Sequence, residues 1–210
     1  MDEFMNLHEE NEICMIQNDW DDSFNEARVN FMGIVAWPTV VGNGVADCWP
    51  IDCLEGDYQA NAAIPSPLTI SITENGVGDF TAHITAEEDV TGADFFMVAT
   101  LDEYVPAYNG MSPLPHHVKV YMTPLTGDPF ELMAGESIDI SHSFEIQPDW
   151  AYSEMGVAAW ISRPGGTNIS PCPYGSVGNR NEVLQSRWVA TTFSTPVEEL
   201  SWSRIKVLYR

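Results

Sequence analysis

Basic residues are scarce in this 210-residue chain, which holds 8 Lys and Arg against 31 Asp and Glu and carries a net charge of −23. Of these basic residues, only Arg28 and Lys119 precede residue 163. A negative field of this strength repels phosphate backbones, which excludes the nucleic-acid-binding proteins. We interpret the charge as a solvated acidic surface.

Long apolar runs and a targeting segment are absent as well. No run approaches the roughly 20 residues that a membrane-spanning helix needs, so no transmembrane segment is predicted. Residues 1–6 do not combine a basic region with an apolar one, so no secretory signal peptide is expected in this chain. Hydrophobic residues still make up 44% of the sequence, which is enough for a packed core.

The four cysteines, Cys14, Cys48, Cys53 and Cys172, form no Cys-x-x-Cys pair. That excludes a zinc ribbon and a thioredoxin redox pair within the chain. Cys48 and Cys53 flank the turn-prone segment Trp-Pro-Ile-Asp, and we predict a disulfide between them in an oxidising compartment. Two ordinary free thiols are the alternative.

Catalytic and cofactor-binding motifs are also missing. The chain has no Gly-x-Ser-x-Gly elbow, no His-Glu-x-x-His helix and no Gly-rich phosphate loop, so we predict no catalytic residue, no cofactor and no enzyme activity. His116 and His117 are adjacent, and neighbouring residues on a strand point to opposite faces. A metal site there would need a bend and help from Asp102, Glu103 or His142, so no metal is predicted.

The first third of the chain alternates helix and strand signals. A capping box from Ser23 to Glu26 begins a helix that Gly33 ends. The pair Asn43-Gly44 predicts a hairpin turn, and residues 54–63 predict a short helix. Residues 64–67, Ile-Pro-Ser-Pro, form a stiff linker at which we place a domain boundary.

Beyond that linker the pattern is typical of antiparallel strands. Apolar and polar residues alternate over 68–73, 80–84 and 138–146, which predicts strands with one buried face and one wet face. Asn75-Gly76 is predicted to turn the chain between the first two. Further strands are predicted at 95–101, 118–122, 155–161 and 183–193. Seven or eight short strands of this kind favour an immunoglobulin-like β-sandwich.

Two aromatic residues are candidates for ligand contact. Trp49 lies between Cys48 and Cys53, and Tyr174 lies in a loop over 164–181 that is rich in Gly, Pro and Ser. Long loops are often binding loops, and exposed aromatic rings beside acids stack on sugars. Core packing is the alternative for most of the Trp residues.

Several stretches in a fixed order resemble the Omp-twenty-eight-related outer-membrane protein family and its secreted bacterial relatives. The stretches are Arg28-x-x-Phe31-x-Gly33, Trp37-Pro38-Thr39-Val40-Val41, residues 63–70, Glu136-Ser137-Ile138, Asp149-Trp150, residues 156–160 and residues 181–185. In that family a thioredoxin-like domain precedes an immunoglobulin-like sandwich. The resemblance covers about residues 12–192.

The resemblance implies a mixed fold with three parts. Residues 1–66 would form a truncated thioredoxin-like α/β segment, residues 67–196 an antiparallel immunoglobulin-like β-sandwich and residues 197–210 a basic tail. Pro38 would be the cis-proline of the thioredoxin fold. The strand and helix that carry Cys-x-x-Cys in such domains would lie before residue 12, and this chain does not contain them.

We therefore predict a non-catalytic secreted or cell-surface module, binding or structural, whose unknown ligand is a protein or a glycan. By the same resemblance it would be extracellular, periplasmic or on the cell surface. One alternative is a thiol–disulfide protein whose catalytic half lies upstream of this chain. Another is a carbohydrate-binding sandwich that uses Trp49 or Tyr174. The sequence leaves the oligomeric state open.

Overall fold

A computed structural model of the chain describes residues 30–31, 41–47, 54–102, 116–171 and 178–193. These residues form mainly antiparallel β-sheets, together with one nine-residue helix. The elements are β1 Val41–Gly42, β2 Ala46–Asp47, α1 Leu54–Ala62, β3 Leu68–Gly76, β4 Asp79–Ala86, β5 Val90–Leu101, β6 His117–Tyr121, β7 Asp128–Leu132, β8 Ser137–Ser143, β9 Met155–Pro164 and β10 Asn181–Ala190. A 3-10 turn, Tyr152–Glu154, leads into β9.

Two larger sheets share one hydrophobic core. The five-stranded sheet has the order β10-β9-β5-β6, with β7 also paired to β5, and the three-stranded sheet has the order β3-β4-β8. Their facing side chains form one buried cluster, which includes Leu68, Phe80 and Ile84 from one sheet and Phe95, Met97, Val157 and Ile161 from the other. The β-rich, antiparallel part of the prediction is therefore confirmed.

The five-stranded sheet is buried on its other face as well. Phe96 and Trp160 stack there with their ring centroids 5.0 Å apart, and Val98, Val118 and Trp188 complete this second buried cluster. Successive side chains of a strand point to opposite faces, so a strand buried on both sides must be apolar throughout. The continuous apolar runs of β5 and β9 follow from this arrangement.

The strand predictions are confirmed apart from one turn and one missed strand. Asn75 and Gly76 lie within β3, and the chain turns at Val77 and Gly78 instead. Gly78 has a φ of +79°, and a Cβ atom there would lie 2.5 Å from the carbonyl oxygen of Phe144. Strand β7 escaped prediction because its second residue, Pro129, lowers strand propensity.

The described part of the N-terminal region confirms the predicted hairpin and the helix before the linker. Asn43 and Gly44 turn the β1–β2 hairpin with φ values of 48° and 70°. The hairpin docks on β10, because the N–H groups of Asn181 and Val183 donate to its carbonyl oxygens over 2.9 and 3.0 Å. Of the first predicted helix, only residues 30–31 are described, and they are helical. The boundary at residue 66 remains a prediction.

Candidate functional site on the three-stranded sheet

One face of the three-stranded sheet packs on the core, and most of the opposite face is open to water, with Thr81 on the middle strand buried. The core-facing residues alternate with polar ones, so every second side chain of β3, β4 and β8 points outward. We call this surface the hydroxyl face. Its residues are Thr69, Ser71, Thr73, Asn75, Thr81, His83, Thr85, Ser137, Asp139, Ser141 and Ser143. None of them is a Lys or an Arg.

Side chains of the hydroxyl face bond to each other across the strands. The Thr81 and Ser141 hydroxyls are 2.7 Å apart, and those of Thr85 and Ser137 are 2.8 Å apart. The Asn75 amide donates to the Thr81 hydroxyl over 2.7 Å. These pairs follow from the register, which places Thr81 opposite Ser141 and Thr85 opposite Ser137. The bonds hold short side chains in a regular array.

Three residues of this face form a hydrogen-bonded relay. Asp139 Oδ1 lies 2.7 Å from His83 Nδ1, and His83 Nε2 lies 3.0 Å from Thr73 Oγ1. The order carboxylate, imidazole, hydroxyl is the one that activates the nucleophile of serine hydrolases. Here the His83 and Asp139 side chains are 42% and 67% exposed. Water therefore screens the relay, whereas catalytic relays work in sites that exclude water.

A second polar network joins β3 to the segments that flank β9 and β10. Tyr152 donates its hydroxyl to Glu74 Oε1, and the same hydroxyl accepts the N–H of Gly78 over 2.9 Å. Glu74 Oε2 accepts from the backbone N–H and the hydroxyl of Thr192 and from the N–H of Phe193. The network ties the end of β10 to the three-stranded sheet.

The ionisation of both central groups follows from these bonds. Burial alone would raise the pKa of Glu74, but the hydrogen bonds from Tyr152, Thr192 and Phe193 together lower it. Burial, and then the bond to the Glu74 carboxylate, raise the pKa of Tyr152. Glu74 is therefore held as a carboxylate and Tyr152 as a neutral phenol at neutral pH, which suits a structural tie.

The two adjacent histidines do not converge on one point. His116 has a φ of 50° and lies beside Asp102, whose Oδ1 is 3.0 Å from its Nδ1 and accepts its backbone N–H over 2.7 Å. Burial would raise the pKa of Asp102, but these interactions with His116 lower it. His117 is buried as the first residue of β6, and His142 lies 3.4 Å from Asp128. Within the described ranges, no three His, Cys, Asp or Glu residues gather in a metal-binding group.

The structure does not describe the site residues predicted from the sequence. Pro38, Cys48, Trp49, Cys53 and Tyr174 all fall outside the described residues, so their roles remain predictions. Of the loop over 164–181, the described ends are held by a backbone bond from Gly165 to Arg180 and by a 2.9 Å bond from the Arg180 guanidinium to the carbonyl of Gly166.

Sequence reasoning missed the hydroxyl face as a candidate site. The available signal was the character of the outward residues in the alternating strands, which are short hydroxyl, amide and imidazole side chains where long charged ones are common. What the sequence does not give is the register that brings Thr73, His83 and Asp139 together from three strands.

Comparison with known proteins gives a likeness of fold. No family model and no curated protein sequence matches the chain. The structure is similar to HBP35 of Porphyromonas gingivalis, with a TM-score of 0.59 and 14% identity over 85% of this chain. This chain spans 60% of the HBP35 structure.

Two other solved structures are more distant. A domain of the outer membrane lipoprotein Omp28 from Porphyromonas gingivalis matches with a TM-score of 0.36 and 6% identity, over 63% of this chain and 94% of that one. The GH3 beta-glucosidase of Bifidobacterium adolescentis matches with a TM-score of 0.24 and 12% identity, over 67% of this chain and 19% of that one.

Among the described residues, no helix has the length and apolar character required to cross a membrane. The comparison with HBP35 establishes a shared fold. The thioredoxin-like part of the prediction lies mostly outside the described residues and remains a prediction.

Proposed function

We propose that the chain is a non-catalytic binding module of the cell surface and that the hydroxyl face is its ligand site. The observation that carries this proposal is the array of short polar side chains on three neighbouring strands, most of them open to water and held in place by cross-strand hydrogen bonds. In this proposal the two packed sheets are an immunoglobulin-like sandwich that serves as a rigid support.

The chemistry of the face favours a neutral, hydroxyl-rich ligand such as a glycan. Hydroxyl groups both donate and accept hydrogen bonds, and Asn75, His83 and Asp139 add a strong donor, an imidazole and an acceptor. The net charge of −23 repels anionic ligands, and the face has no Lys or Arg to bind them. This ligand class keeps the predicted glycan, but the proposed site is built from the hydroxyl face instead of from Trp49 and Tyr174.

The binding proposal is tested by a glycan array that contains neutral, anionic and cationic glycans, followed by NMR titration of a hit. We expect neutral glycans to bind and to shift the signals of Thr73, Thr85 and Ser141. The double substitution T73V/T85V removes two hydroxyls at nearly constant shape and should abolish binding. The matched control is T167V, at an exposed position between β9 and β10. No neutral hit, or shifts that map to another surface, would overturn the proposal.

The non-catalytic part of the proposal has its own test. Because the relay of Thr73, His83 and Asp139 is screened by water, we expect the protein to hydrolyse an activated ester such as p-nitrophenyl acetate no faster than its H83A variant does. We also expect no reduction of insulin disulfides. Ester hydrolysis that is lost in H83A, or insulin reduction that depends on Cys48 and Cys53, would show an enzyme.

A further inference from the structure

The free edge of β8 differs from the other sheet edges that the structure describes. β10 is covered by the backbone bonds from the β1–β2 hairpin, and β3 is tied to β10 by Ser66 and Gln185, which donate to Leu184 O and Leu68 O over 2.9 and 3.1 Å. β6 and β7 are five residues long, and β7 contains Pro129. Within the described ranges, no strand pairs with the outer edge of β8.

Strand β8 lacks most of the features that normally protect an edge, and Asp139 is its one acidic residue. It is seven residues long, contains no Pro, Lys or Arg, and pairs with β4 without a register shift. Its core-facing residue Ile138 is 40% exposed, which makes it one of six large apolar side chains that are exposed in the described part of the chain. Unprotected edges of this kind are templates for another strand.

The direction of the unpaired backbone groups follows from two bonds. Ala86 N–H donates to Glu136 O and Phe144 N–H donates to Gly78 O, each over 3.0 Å, so the even-numbered residues of this segment face β4. Along an antiparallel strand, successive residues direct their backbone N–H and C=O groups alternately toward one neighbouring strand and toward the other side. The backbone groups that point away from β4 are therefore those of Ser137, Asp139, Ser141 and Ser143.

These groups are self-complementary under a two-fold axis. If β8 meets β8 of a second copy in antiparallel fashion about Ile140, Ser137 pairs with Ser143 and Asp139 pairs with Ser141. All four pairs formed by the two copies then join outward-pointing backbone groups. The two Asp139 carboxylates each face a hydroxyl rather than each other, and Ile138 is covered by His142 of the second copy.

We propose that two copies of this chain associate through β8 and join their three-stranded sheets into one continuous six-stranded sheet. The interface is isologous, as expected for a two-fold dimer. It also joins the two hydroxyl faces into one extended surface. This inference stands on the edge geometry alone and does not depend on the proposed ligand.

The two copies repel each other through their net charge of −23, while the contacts at β8 are hydrogen bonds and apolar packing. Salt screens the repulsion, so the dimer should become tighter as ionic strength rises. This dependence is opposite to that of an association driven by attraction between charges.

The test combines sedimentation with amide hydrogen exchange of the full chain measured by NMR. In concentrated, salt-containing solution we expect a dimer in which all the β8 amides are protected. On dilution the amides of Asp139 and Ser141 should lose protection, while those of Ile140 and His142 keep theirs. A monomer at every concentration and salt level, or Asp139 and Ser141 amides that exchange rapidly in the dimer, would overturn the proposal.

A substitution pair provides an independent check. S141D places a carboxylate opposite each Asp139 of the other copy and should weaken the dimer about 2- to 30-fold, because like charges directly opposite each other destabilise strand pairing. S71D adds the same charge to the same face on β3, away from the edge, and should leave the dimerisation constant close to that of the parent chain. Equal effects of the two substitutions would exclude β8 as the interface.

Discussion

The two sheets of this sandwich use their second faces in opposite ways. The five-stranded sheet buries Phe96, Val98 and Trp160 on the face that points away from the shared core. The three-stranded sheet leaves most of the hydroxyl face, including Thr73 and Ser141, in water, although Thr81 within it is buried. In the proposed function, the five-stranded sheet is therefore the scaffold and the three-stranded sheet is the recognition surface, because a buried face cannot meet a ligand.

The residue patterns of the strands reflect this difference between a sheet buried on both faces and a sheet buried on one. Apolar runs of the kind in β5 and β9 are needed where both faces are dry, and strict alternation in β3 and β8 is needed where one face is wet. The hydroxyl face also differs from an ordinary wet face, because its residues are short and bonded across the strands.

Truncation on the second face of the five-stranded sheet should be as costly as truncation in the shared core. We expect F96A and F95A each to lower the free energy of unfolding by about 3–5 kcal/mol, since both rings are fully buried. Denaturant unfolding followed by circular dichroism measures both. A loss below about 1 kcal/mol for F96A alone would mean that this face is not buried, and would remove the contrast between the sheets.

The close contact between Gly156 on β9 and Trp188 on β10 gives a second test of the buried outer face of the five-stranded sheet. A Cβ atom on Gly156 would lie 2.4 Å from the Trp188 ring, so we expect G156A to cost about 1–3 kcal/mol of stability. The control is G76A, where the nearest atom would be 3.7 Å away and φ is not positive. Equal melting temperatures for the two variants would contradict the packing of Trp188 on this face.

The hydrogen-bond network around Glu74 links the two sheets, and its contribution to the free energy of unfolding should depend on pH. We expect E74Q to lose about 1–3 kcal/mol at neutral pH, because Gln cannot accept all the hydrogen bonds that the carboxylate accepts. The folded-state pKa of Glu74 is lowered, so its contribution is present above the unfolded pKa and is lost as the pH falls through the folded value.

The stability gap between the parent chain and E74Q should therefore narrow in acid, as measured by denaturant unfolding at neutral and acidic pH. E131Q is the matched control, because it removes the same charge from an exposed position on β7. A gap that stays constant across this pH range would show that the carboxylate is not held ionised by these bonds.

Substitutions on the hydroxyl face should have the smallest effect on folding. We expect T73A to change the free energy of unfolding by no more than about 0.5 kcal/mol, because Thr73 is exposed and water replaces its hydrogen bond to His83. Denaturant unfolding checks this value. A loss as large as that of F96A would assign the face a structural role and would weaken the case for recognition.

Local patterns predicted much of the sandwich but little of the candidate site. The alternation over 68–73 and 138–146 was sufficient to place β3 and β8, and Asn43-Gly44 was sufficient to place the first hairpin. Strand β7 was not predicted because Pro129 lowers its strand propensity, and the turn before β4 is at Gly78 rather than at Asn75-Gly76. Whether such a segment forms a strand, and where its turn lies, depends on how it pairs with the neighbouring strands.

The polar networks depend on contacts between residues that are far apart in the chain. His83 meets Asp139 only because β4 and β8 pair in one register, and a shift of one residue would turn Asp139 toward the core. Glu74 on β3 contacts Thr192 only because β10 belongs to the five-stranded sheet, which packs on the three-stranded sheet. Periodicity sets which face a residue occupies, but it does not set its partner on the next strand.

The contrast between the two sheets is tested most directly by NMR with a soluble paramagnetic agent, which broadens the signals of groups exposed to water. The methyl signals of Thr73 and Thr85 on the hydroxyl face should broaden strongly, while those of Val98 and Val118 on the five-stranded sheet remain sharp. Equal broadening of both sets, or protection of the Thr methyls at concentrations where the chain is a monomer, would contradict the account.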